Sequence, residues 1–236
     1  MSRSTSLTSG RYVAHWTGDN DATWVDLKFS LSAMISFNIF GIKMVGNDVC
    51  GFRGETSEDL CVRWHQIGAL LNSFFRNHNT LGAPDQHPTV FSKIGQSRIR
   101  DAIRRRYRLF PYLYHVLRSD GMYVSPVVWQ LGSQTTSWAD YMKYSSSDNE
   151  FMLGSALLVC ANFSPPPQST ATCLFPIGKW CSIVHRRECI DILNNQQLTI
   201  TIDDNVGLDM FQKEGTVVPT AIEAGDDITQ VYTSNL

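Results

Sequence analysis

The sequence predicts an α/β unit followed by an all-β unit. Residues 1–120 read as the C-terminal part of a (β/α)8 TIM barrel, 121–220 as a β-sandwich and 221–236 as a polar tail. Three observations lead there. In the first half, short apolar runs alternate with amphipathic helical ones, the pattern of parallel βα units. Polar residues with reactive side chains follow each apolar run, where a barrel of this kind carries its site. Beyond Gly121 the helical spacing stops, and short β-prone runs between Pro, Ser and Gly turns take over.

Arg11 to Trp16 reads as a strand that ends in the polar turn Thr17–Asp21. Trp24 to Asn38 sets Trp24, Leu27, Leu31, Met34, Ile35 and Phe37 at helical spacing. Ile39 to Val45 is a short apolar run, a buried strand that leaves through Gly46-Asn47-Asp48. Ser57 to Leu71 is helical again, with Thr56 or Ser57 as N-cap and acidic Glu58 and Asp59 in the first turn. Leu70 to Phe75 is a further apolar stretch ending at Arg76-Asn77-His78-Asn79. Ser97 to Leu117 is a helix that Pro111 should bend or divide. About three βα units fit here, against the eight of a closed barrel, so exposed edges and poor folding of the chain alone are expected. In the second half the predicted strands are Val124–Leu131, Ala156–Ala161, Thr172–Phe175 and Leu198–Ile202.

Lys and Arg total 20 against 22 Asp and Glu, a formal charge of −2. That balance gives no electrostatic reason for a nucleic-acid partner. The one basic cluster (Arg98, Arg100, Arg104, Arg105, Arg106, Arg108) lies in a helical stretch and reads as a solvated face rather than a phosphate site. No apolar run is long enough for a transmembrane segment, and no signal peptide opens the chain. The start Met-Ser-Arg-Ser-Thr runs almost at once into dense aromatic sequence, as if it began inside a domain. Among six cysteines no paired Cys-x-x-Cys motifs occur, which argues against a zinc ribbon. Cys50 and Cys61 flank a short polar loop and are either a disulfide or two buried thiols. Asn162-Phe163-Ser164 has the form of a glycosylation sequon.

Asp19 sits in a turn between Trp16 and Trp24. Flanking indoles would strip its carboxyl of water and suit it to general-acid work; the alternative is that Asp19 or Asn20 caps the following helix. Asp48, at a strand end, either binds sugar hydroxyls or satisfies turn amides. Phe52 is an apolar wall for a sugar face or a core residue. Arg76 and His78, two apart, point the same way in extended chain and together suit vicinal hydroxyls. No Gly-x-Ser-x-Gly elbow, Walker loop or His-Glu-x-x-His zinc motif is present, and nothing calls for a metal or organic cofactor. Two aspartates, an arginine, a histidine and several aromatics favour carbohydrate.

These residues fall in longer runs: His15-Trp16-Thr17-Gly18-Asp19-Asn20, Val45-Gly46-Asn47-Asp48-Val49-Cys50-Gly51-Phe52, Leu60-Cys61-Val62-Arg63-Trp64, Arg76-Asn77-His78-Asn79 and Arg106 to Tyr114. In their order and combination they resemble glycoside hydrolase family 31, and the Arg-Asn-His-Asn form resembles its maltase and acid α-glucosidase branch. The resemblance implies retaining hydrolysis of terminal α-linked glucose by two aspartates, Asp19 matching the acid/base. It implies that Arg3, Trp16, Asp48, Phe52, Arg76 and His78 line the site for the non-reducing glucose of an α-glucoside oligosaccharide. It also implies a Cys50–Cys61 disulfide and a secretory, lysosomal or extracellular setting.

The family's nucleophile run, Trp-x-Asp-Met-Asn-Glu, does not occur in these residues. The expectation is therefore a fragment without its nucleophile, inactive alone and partnered by a missing N-terminal part. The rival is a non-catalytic glycan-binding or interaction protein of the same descent. Asn47 stands where the family commonly has a small residue, and a larger polar group there could alter the geometry of the site.

Overall fold

The computed structural model describes residues 1–132, 143, 148–185 and 188–221; the predicted tail after Ala221 lies outside the described residues. The first unit is a set of short parallel strands backed by helices. β1 (His15–Trp16) pairs in parallel with β2 (Val45–Gly46), and β3 (Asp48–Val49) with β4 (Arg76–Asn77). A parallel bridge from Ser2 to His15 adds a further position beside β1. This parallel order, wound through helices, is the partial barrel that the sequence predicts.

The predicted strands were too long. Of Arg11–Trp16 only His15–Trp16 is strand, Arg11 ending a 3-10 turn; Ile39 ends the first helix, Leu70 and Leu71 belong to the second, and Val124–Leu131 shrinks to strand at Val124–Ser125 followed by a 3-10 turn at Val127–Gln130. Apolar residues at helix ends and strand starts run together, and composition alone does not mark the joint.

The helices follow their caps. In α1 (Trp24–Ile39) the Thr23 hydroxyl accepts from the Asp26 amide, so Thr23 is the cap and neither Asp19 nor Asn20. In α2 (Glu58–Leu71) Ser57 caps the Leu60 amide, as expected. In α3 (Lys93–Arg118) Ser92 caps the Gly95 amide, and Pro111 is accommodated within one continuous helix. Glu58 accepts from the Ser92 amide and hydroxyl, and these bonds hold its carboxyl below the usual range. That ties the start of α2 to the start of α3.

The arginine-rich run is not one solvated face. Arg106 turns inward and donates to the carbonyls of Ala69, Asn72 and Ser73 at 2.7, 2.7 and 2.8 Å. It closes the C-terminal end of α2, where carbonyls lack helical partners and a cation is favoured.

The second unit has eight strands among the described residues: β5 (Val124–Ser125), β6 (Glu150–Leu153), β7 (Leu157–Ala161), β8 (Thr170–Phe175), β9 (Gly178–Ser182), β10 (Cys189–Ile192), β11 (Gln196–Thr201) and β12 (Leu208–Lys213). Six of them form one antiparallel sheet in the order β10-β9-β12-β7-β6-β5. The separate pair β8 and β11 covers its outer face. Side chains of β7 alternate between two cores. Leu157, Val159 and Ala161 join Trp64, Leu70 and Tyr112 on the barrel side, while Leu158 and Cys160 join Cys173, Phe175 and Trp180 on the outer side. Both faces of the sheet are thus buried.

All six cysteines are paired: Cys50–Cys61, Cys160–Cys173 and Cys181–Cys189. The first is the expected bridge; the other two were not anticipated. Three disulfides fit the oxidising secretory pathway. The sequon Asn162 is 1% exposed, its side-chain amide donating to the Gln168 carbonyl and its backbone carbonyl accepting from Arg63, so it is no glycan acceptor in this fold. No helix among the described residues is long and apolar enough to cross a membrane.

Candidate active site

The strand ends bring two carboxylates together and give them opposite surroundings. Asp48, on β3, is fully buried. Its Oδ1 accepts from the Trp16 indole N–H at 3.0 Å and lies 3.5 Å from Arg76 Nε; its Oδ2 accepts from the Asp19 backbone N–H at 3.2 Å. A buried carboxylate needs such partners, and here neighbouring strand ends provide them. Asp19 retains access: its side chain is 36% exposed and pairs with Arg3 Nη1 at 2.8 Å. The indole enclosure expected of Asp19 is not formed, because Trp24 packs against the core and Trp16 is held by Asp48.

Asp19 has a φ of +58°, a left-handed conformation that is uncommon for a non-glycine residue. That turn aims its amide at Asp48 while its carboxylate meets Arg3. Asn20, which sequence reasoning treated only as a possible helix cap, clamps the arrangement. Its side-chain oxygen accepts from the Asp48 amide at 3.1 Å and its side-chain nitrogen donates to the Asp48 carbonyl at 3.0 Å. Its own backbone carbonyl accepts from the Phe52 amide at 2.7 Å. The aromatic pair Phe52 and His78 stands beside this clamp, ring centroids 4.9 Å apart.

Trp16 forms the base of the cluster. The guanidinium of Arg76 lies 4.7 Å and that of Arg3 5.2 Å from its ring centroid, both within cation–π range. Behind it His15 stacks on Phe37 at 3.7 Å and meets the Thr5 hydroxyl at 2.8 Å. Burial, then the Arg3 charge, holds the His15 imidazole below its ordinary range. Arg3, Trp16, Asp19, Asp48 and Arg76 therefore form one connected group, and Phe52 with His78 adjoins it through Asn20. Arg76 and His78 do not share a partner: one lies on Trp16, the other against Phe52.

Asn47 is bonded on the side away from this group. It lies between Val45 and Val49, which face the helices, and it accepts from the Asn72 side chain at 2.7 Å on that buried side. Strand alternation sends Asp48 one way and Asn47 the other. Among the described residues, the cluster of potential metal ligands is Cys50, Cys61 and His65, and its two sulfurs are joined as a disulfide.

Family models match both units: the glycosyl hydrolases family 31 TIM-barrel domain over residues 1–116, and the glycosyl hydrolase family 31 C-terminal domain over 120–218. The chain belongs to glycosyl hydrolase family 31. Curated relatives include a probable alpha-glucosidase of Oryza sativa subsp. japonica, 41% identical over 78% of this chain and 20% of its own length. The lysosomal alpha-glucosidase of Mus musculus is 39% identical over 76% of this chain and 18% of its own length. Alpha-xylosidase 1 of Arabidopsis thaliana is 34% identical over 93% and 23%. The chain thus spans about a fifth of the length of the curated relatives it matches. Among solved structures, a glucosidase II alpha subunit superposes with a TM-score of 0.80 at 24% identity, covering 94% of this chain and 24% of that one, a likeness of fold. The family 31 assignment accounts for the partial barrel, the sandwich and the order of the motifs.

Proposed function

We propose that this chain carries the acid/base half of a retaining α-glucosidase site, with Asp19 as the proton donor. The observation that carries the reading is the contrast between the two carboxylates. Asp48 is sealed by Trp16, Arg76 and the Asp19 amide, whereas Asp19 stays open to an incoming glycoside. In the first step a nucleophilic carboxylate bonds to the anomeric carbon, the glycosidic bond breaks, and Asp19 gives its proton to the departing oxygen. In the second, Asp19 takes a proton from water as the oxygen of that water displaces the enzyme carboxylate. The nucleophile is not assigned to any of these 236 residues, and without it they are not expected to turn over.

Arg3, Trp16, Phe52, Arg76 and His78 are the residues we assign to the terminal α-linked glucose. Asp48 holds Trp16 and Arg76 in place beneath it. The relatives named as alpha-glucosidases support glucose as the sugar, and the disulfides with the lysosomal relative support a lysosomal or extracellular setting. The non-catalytic alternative loses its support from Asn47, which points away from the site.

The test uses a form that also carries the family's Trp-x-Asp-Met-Asn-Glu run. Asp19→Asn is expected to cut maltose hydrolysis by about 10²–10⁴-fold, the usual worth of a positioned general acid. It should spare α-glucosyl fluoride more, because fluoride leaves without a proton. An unchanged maltose rate overturns the assignment.

A further inference from the structure

We propose that the groove between α3 and the β-sandwich is a binding site for a phosphoryl group. The groove, about 590 Å³, is lined on one side by Asp101, Arg104, Arg105 and Arg108, and on the other by apolar residues including Ile183 and Met210. The four helical residues stand at i, i+3, i+4 and i+7, which places them on one stripe of α3. Three guanidiniums against one carboxylate leave this stripe with an excess of two positive charges. Arg104 and Arg108 are exposed and one turn apart, and like charges at that spacing repel.

Arg105 sharpens the case. Burial pushes its guanidinium pKa down, although Asp101 and Asp203 act the other way. Its hydrogen bond to the Val206 carbonyl is a long contact of 3.4 Å. A guanidinium has five N–H donors in a planar fork, so most of its capacity remains for a ligand in the groove. The other arginines of the run are committed elsewhere: Arg98 to Asn205, Arg100 to Ser97 and Arg106 to the end of α2. Three forks around one concavity suit a tetrahedral oxyanion, which accepts bidentate bonds on several faces, and the apolar wall leaves room for an organic body.

The groove lies apart from Asp19 and shares no residue with the candidate active site.

The probes are inorganic phosphate and glucose 6-phosphate, titrated into the full chain by calorimetry at low ionic strength. Saturable binding by either is expected; glucose 6-phosphate binding at least as tightly assigns a sugar phosphomonoester, and phosphate binding about tenfold tighter assigns the free ion. The double variant Arg104→Gln/Arg108→Gln, at two exposed positions, should weaken binding at least tenfold. Arg100→Gln, outside the groove with the loss of one charge, should leave it within twofold. The proposal is overturned if neither probe binds, if the double variant binds as tightly as the unaltered chain, or if Arg100→Gln weakens binding as much.

Discussion

At the residue scale, Asp48 shows how one buried charge organises its neighbours. Replacing it by Ala leaves the Trp16 indole N–H, the Asp19 amide and Arg76 without their shared acceptor. A loss of about 3–5 kcal/mol is expected in urea unfolding, the usual cost of breaking a buried charged group's contacts. His65 gives a pH-dependent prediction. Burial lowers its pKa from 6.5 to about 4, outweighing its bond to the Cys61 carbonyl. Between those values the unfolded chain binds the proton and the folded chain does not, so stability falls as pH drops from 6.5 towards 4. The difference corresponds to about 3 kcal/mol. His65→Gln, which does not titrate, should flatten the loss between about pH 7 and pH 4.5; an unchanged slope would exclude His65 as its source. Asp209 acts oppositely: burial raises its carboxyl pKa, so its contribution is lost as pH rises above the ordinary carboxylate value. The sequence made both Asp19 and Asp48 visible as carboxylates at strand ends. Which of them is sealed was not legible, because it depends on Trp16 and Arg76 arriving from other strands.

At the scale of elements, the helices were the most legible part. α2 begins at Ser57, one of the two caps the sequence offers, and the buried face of α1 repeats at helical period, whereas α2 is buried on every side from Leu60 to Leu71. The strands of the sandwich were harder. Phe151 to Leu153, which the sequence does not mark, is buried on both faces like the predicted Leu157 to Ala161, so the polar alternation of a half-exposed strand is missing. β12 was missed because Asp209 interrupts its apolar residues, yet that carboxylate is buried and accepts from the Ser182 hydroxyl. Arg106 was also misread, since a run of six arginines says nothing about which one turns inward. Arg106→Met removes three charge-assisted bonds at the end of α2. We expect a loss of about 3 kcal/mol in denaturant unfolding. A change below about 0.5 kcal/mol, the range of ordinary surface substitutions, would refute a structural role.

At the scale of the whole molecule, one core joins the two units. Leu27 and Trp64 of the helices share it with Phe151, Val159 and Leu208 of the sandwich. Arg63 reinforces the junction by donating to the Asn162 carbonyl and to Asp204. The outer pair is tied down separately by Cys160–Cys173, which links β7 to β8. Replacing both cysteines by Ala should cost about 3 kcal/mol, by the chain-entropy estimate for a loop of this size. Unaltered thermal unfolding would show that the packing of Phe175 and Trp180 alone holds that pair. The double-sided burial of the central sheet also governs how its backbone meets solvent. Amides in the middle of β7 and β12 have a strand on either hand and a packed layer above and below. Small fluctuations at the surface do not expose them, so their deuterium uptake should require opening of the entire fold. The slowest amides among the described residues should therefore be Leu158, Val159 and Phe211, and their exchange would give the global free energy of unfolding without denaturant.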